Sequence, residues 1–193
     1  MSQMFSPSLP KHLVFTNNAL WLGLLISVSG ALTAAYSCIT PFAAFGVIAA
    51  ATLSRRGGVI VILALWLVNQ AVGFGVLHYP WTGSTVAWGI AIGGAAVIGT
   101  VAAQSTIRRL SSRGMAVAVL IAFVFAFTLY ELILYGVAVS VLGGRAAFSA
   151  GIIVEVLVVN AATLVGLVGL HQAASVIQTA RRRRAHTVRA DFA

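Results

Sequence analysis

Long apolar runs separated by short polar clusters dominate the chain. The runs cover Asn18–Tyr36, Ile39–Leu53, Val59–His78, Ser84–Gln104, Met115–Val141 and Ala147–Leu170, the last continuing as helix toward Ala180. The first two come from one continuous stretch. We divide it near Cys38–Pro41, because proline disfavours helix before it and the stretch is too long for one crossing. The pattern predicts an all-α integral membrane protein with six transmembrane helices.

Composition narrows the class further. Apolar residues make up 60% of the 193-residue chain and charged residues 8%, about a third of the charged share expected in a soluble domain. The runs leave no room for a separate water-soluble domain, so residues 1–193 read as one membrane domain with polar tails at 1–17 and 179–193. The single cysteine, Cys38, excludes an internal disulfide and multi-cysteine metal motifs. The start, "MSQMFSPSLPKHLVFTNN", lacks the pattern of a cleaved signal peptide.

The formal charge of +9 takes its meaning from where the basic residues fall. With six spans and both termini inside, Lys11, Arg55, Arg56, Arg108, Arg109, Arg113, Arg181, Arg182, Arg183, Arg184 and Arg189 all face the cytoplasm, and only Arg145 lies outside. A single helix in place of the first two spans would put Arg55 and Arg56 opposite Lys11. The expected topology is therefore N-in/C-in in a bacterial inner membrane. The outer loops are then "SCIT", "YPWTGS" and "LGGRAAFS". The "RRRR" tail reads as a stop-transfer signal, and no nucleic-acid partner is expected.

Polar residues inside the runs are the candidate chemistry. The ~1.5 Å helical rise places Asn69, Glu131 and Glu155 roughly 12–15 Å below the outer surface, where they could share one chamber. Trp66, Gln70, Phe74 and His78 recur every fourth residue and form one helix face leading to the outer loop. With Trp88, Tyr130 and Tyr135, they outline an outward-opening cavity of the kind that holds bulky organic ligands, with Tyr79 and Trp81 along its entry. Three plainer roles stand beside this one. Tyr79 and Trp81 also suit interfacial anchoring; Asn69, Gln70, Glu131, Glu155 and Asn160 also suit bonds between helices; Gly89 and Gly93 suit close helix packing. A proton or cation path through Glu131 and Glu155 is a further alternative.

His78 at the outer end has no facing histidine for a b-type haem, and two glutamates are too few for a metal-ion permease. It is suited to serve as a single axial ligand to a metal already held in a macrocycle. No nucleotide loop, zinc motif or catalytic triad is present in the sequence, and no enzymatic activity or intrinsic cofactor is expected.

The six-span plan, and most specifically "NQAVGFGVLHYPW" at the end of the third run, resembles the substrate-binding S-component of energy-coupling-factor vitamin transporters, closest to the solitary BtuM-type cobalamin transporters. The resemblance implies an S-component-like bundle that captures a bulky vitamin, cobalamin or a related corrinoid, from the periplasmic side and releases it inside. In the BtuM type a cysteine of this region ligates cobalt; here the place holds His78, which the resemblance assigns as axial cobalt ligand. Trp66, Asn69, Gln70, Phe74, Tyr79, Trp81, Trp88, Glu131, Tyr135, Arg145 and Glu155 would contact the ligand, Arg145 through a phosphate or carboxylate. Ala31 and Ala35 have the spacing that S-components use toward a shared ATPase module, a partner that the sequence leaves open. The other reading is a non-transporting accessory subunit of a larger membrane complex.

Overall fold

The computed structural model describes residues 40–190 together with Gly23, Leu25 and Ser27, with side chains through Ala173 and at Ser175. The expected first span, Asn18–Tyr36, and the tails otherwise lie outside the described residues. Every element among the described residues is helical. These are α1 (Phe42–Thr52), α2 (Arg55–Gly75), α3 (Gly83–Leu110), α4 (Met115–Val137, extended by a π-helical turn Ala138–Leu142) and α5 (Ala150–Ala190). Single-turn 3-10 helices at Ser111–Arg113 and Arg145–Phe148 join α3 to α4 and α4 to α5.

Four segments are long and apolar enough to cross a bilayer: Arg55–Gly75, Gly83–Arg113, Met115–Leu142 and Ala150–Ala173. Each overlaps an expected run, within four residues at either end except that Gly83–Arg113 extends nine residues past the expected end at Gln104. Between them a broad apolar surface is exposed, including Ile60, Leu67, Ile90, Leu120, Leu132 and Val165. An outer surface of this kind suits lipid rather than water.

The expected span Ile39–Leu53 takes a different form. Pro41, which has no N–H to leave unpaired, stands at its N-cap, so the break sits where proline predicts it. The helix then runs for only 11 residues, about 16 Å, against the ~30 Å of a hydrocarbon core. All residues from Phe42 to Ala49 are buried, and α1 packs against each of the four long helices. A helix apolar on every side belongs at the centre of a bundle.

Two faces of α1 organise the core. Phe42, Phe45 and Ile48 pack with Val61, Ile62 and Leu65 of α2 and Leu167 of α5. Ala43, Ala44 and Val47 pack with Ala103 and Ile107 of α3, Ala122 and Phe123 of α4, and Leu164 of α5. Small side chains let these helices approach closely, so dispersion and backbone contact replace the hydrophobic driving force that lipid cannot supply. Gly46 is part of this fit, since a Cβ there would lie 2.6 Å from Thr100 Oγ1.

Burying a short helix creates a polar problem at its first turn, where N–H groups have no intrahelical partner. Asn160 of α5 solves part of it. Its Oδ1 accepts from Ala44 N at 3.2 Å, while its Nδ2 donates to Val156 O at 2.9 Å. A side chain 116 residues away thus acts as an N-cap for α1.

Candidate functional site

The α2–α3 connection builds the site. At the end of α2, His78 adopts φ +54°, the one non-glycine residue with positive φ among those described. This left-handed residue turns the chain back, so that Tyr79 N donates to Gly73 O at 3.0 Å. The Tyr79 ring lies directly on Gly73, where a Cβ would come within 2.9 Å of it. Thr82 then caps α3, its hydroxyl accepting from Thr85 N at 3.2 Å.

Beside this turn lies an open groove of about 430 Å³ lined by Leu67, Gln70, Ala71, Phe74, Gly75 and Trp81. Phe74 and Trp81 stack with centroids 4.2 Å apart and planes 26° apart, and Tyr79 meets Phe74 edge-on with centroids 6.5 Å apart. Trp81 is nevertheless 78% exposed, so its indole is available to a guest. Leu67, Ala71 and Gly75, spaced by four, line the groove along one helix face with side chains that shrink toward the turn. That taper was readable in the sequence, and its three residues are the lining groups the sequence analysis did not single out.

Of the expected ligand residues, Gln70, Phe74 and Trp81 line the groove; Tyr79 touches Phe74 edge-on, and exposed His78 precedes Tyr79 in the turn. Deeper members of the same face are engaged in helix packing. Trp66 Nε1 donates to Gly89 O at 2.8 Å, and its ring fills the space where Gly93 lacks a side chain. Asn69 Nδ2 donates to Thr40 Oγ1 at 2.6 Å, and Gln70 Nε2 donates to Asn69 Oδ1 at 3.1 Å. The stripe is therefore a helix seam at Trp66 and a groove wall only from Gln70 onward.

The remaining candidates lie elsewhere. Trp88 reaches the second connection, 3.7 Å from where a Cβ on Gly144 would sit, and Tyr135 meets Phe148 edge-on at 5.6 Å. Arg145 is exposed in that connection. Glu131 is half-buried on α4, whereas Glu155 is exposed on α5, only five residues past its start. The expected single chamber for Asn69, Glu131 and Glu155 is corrected accordingly: Asn69 is tied to Thr40, and Glu155 points away from the packed interior. Similar spacing from the expected loops did not imply a common direction.

Among the described residues no three His, Cys, Asp or Glu side chains gather at one point, so His78 offers one donor and no cage. Comparison with protein-family models, curated proteins and solved structures finds no match.

Proposed function

We propose that this multi-pass membrane protein binds a bulky, partly apolar organic molecule at the Phe74–Trp81 groove, as the ligand-capturing part of an uptake system. The observation that carries this reading is the open aromatic groove with His78 beside it in the turn. Apolar walls with few polar groups, here Gln70, are the usual construction of such sites. Arginine placement supports an outward-facing aromatic end and a six-span, N-in/C-in inner-membrane topology.

A corrinoid is the guest that the resemblance to BtuM-type transporters implies. Its macrocycle would bring its own metal, which suits a site with one histidine and no ligand cluster. A groove of about 430 Å³ would take one edge of such a molecule, the exposed turn covering another part. Titrating the purified full chain with hydroxocobalamin tests the reading. Saturable binding with a shifted corrin absorption band supports it; an unchanged spectrum at every concentration contradicts it.

One observation favours a second reading, an accessory subunit docked on a larger complex. Trp66 and Asn69 are consumed by helix packing, while α5 exposes Glu155 on an apolar surface with Val154, Val158 and Val165. A carboxylate facing lipid costs a few kcal/mol unless a neighbour covers it or it stays protonated. Co-purification of an unlabelled partner in fixed stoichiometry, without bound corrinoid, would favour that alternative.

A further inference from the structure

We propose that the adjoining, arginine-bearing ends of α2 and α3 hold the phosphate of an anionic phospholipid. Gln104 Nε2 on α3 donates to Arg55 O in the first turn of α2 at 3.2 Å. The absence of a side chain at Gly58 permits this approach, since a Cβ there would lie 2.5 Å from the same nitrogen. Arg108 follows Gln104 by four residues and therefore stands on the same face of α3, one turn nearer the helix end. Arg55, Arg56 and Arg108 are all exposed, Arg55 and Arg56 opening α2 at this junction and Arg108 one turn beyond Gln104.

Nothing of opposite sign answers them among the described residues. The first turn of α2 contains no acid. Glu131 lies sixteen residues along α4 from its arginine-side start, roughly 24 Å away along the axis, and Glu155 is near the opposite end of the bundle. The N-terminus of α2 adds a partial positive charge; Gly57 N is taken by the Ser54 hydroxyl at 3.2 Å and Gly58 N by Ser54 O at 2.8 Å. Guanidinium groups beside a helix N-terminus suit a phosphate diester.

A lipid, rather than free phosphate, is indicated by what continues from Arg56. Ile60, Leu63 and Leu67 are exposed at intervals of four, three and four residues, forming an apolar track along α2 for an acyl chain. Headgroup and tail thus have matched contacts on one helix.

The delipidated full chain in neutral detergent tests this by thermal unfolding and native mass spectrometry, with dioleoyl phosphatidylglycerol, dioleoyl phosphatidylcholine and inorganic phosphate as separate additions. The glycerol lipid should raise the unfolding midpoint and remain bound, while the choline lipid should do neither. R55Q/R108Q should lower phosphatidylglycerol affinity at least about tenfold, and R145Q, at the opposite end, should leave it unchanged. If the double variant does not fold, R55Q and R108Q singly must each weaken binding. Equal effects of both lipids, an equal effect of inorganic phosphate, or unaltered affinity in the arginine variants would overturn the proposal.

Discussion

The indole of Trp66 lies across the glycine pair of α3, its Nε1 bonded to Gly89 O at 2.8 Å and its ring occupying the notch at Gly93. This contact joins α2 to α3 directly beneath the groove. It makes the α2–α3 seam at Trp66 depend on two positions without side chains.

Gly93→Ala should therefore destabilise the bundle by about 1–3 kcal/mol, because the new Cβ would start 2.8 Å from the indole. Gly94→Ala, where nothing lies within 4 Å, should be neutral or gain up to about 1 kcal/mol from helix propensity. Denaturant unfolding of the two variants in the same detergent checks the contrast. Equal effects would mean that the Trp66 notch does not govern the helix pair.

Asn160→Ala should cost about 0.5–2 kcal/mol by leaving Ala44 N without its acceptor at the start of a buried helix. Asn160→Asp retains the accepting oxygen but loses the donor to Val156 O, and it introduces a charge in the interior. It should not rescue the loss. Thermal midpoints of the two variants measure the balance.

Trp81→Ala should leave folding nearly intact, since the side chain is 78% exposed, yet weaken ligand binding by about 0.5–1.5 kcal/mol through the lost ring stacking. Circular dichroism and ligand titration separate the two effects. A loss of helix content equal to the loss of binding would make Trp81 a folding residue instead.

His78→Gly separates backbone from imidazole. Glycine accepts φ +54° freely, so the variant should gain about 1 kcal/mol in stability while losing the nitrogen donor. A more stable chain with an unshifted corrin band would assign the band shift to the imidazole. Retention of the shifted band would remove His78 from the ligand role.

Much of the helical plan was legible because lipid imposes length and apolar content on each crossing. Met115 begins α4 as expected, and Pro41 marks the start of α1. The fate of α1 was not legible, because an apolar run of its length reads alike as a crossing and as a buried central helix. Trp66, Gln70 and Phe74 were visible as one face, but periodicity does not state what that face meets. Gly89 and Gly93 held the complementary information, a groove for Trp66 on the neighbouring helix. Asn160 and Ala44 meet only through tertiary folding, beyond the reach of local pattern.

The most direct test of ligand capture is mass spectrometry of the small molecules retained by the full chain after gentle purification, beside Trp81→Ala prepared identically. The account predicts one bulky organic molecule per chain, a corrinoid when cells are supplied with one, and its depletion in the variant. Only phospholipid in both preparations, with no other retained compound after corrinoid feeding, would contradict it.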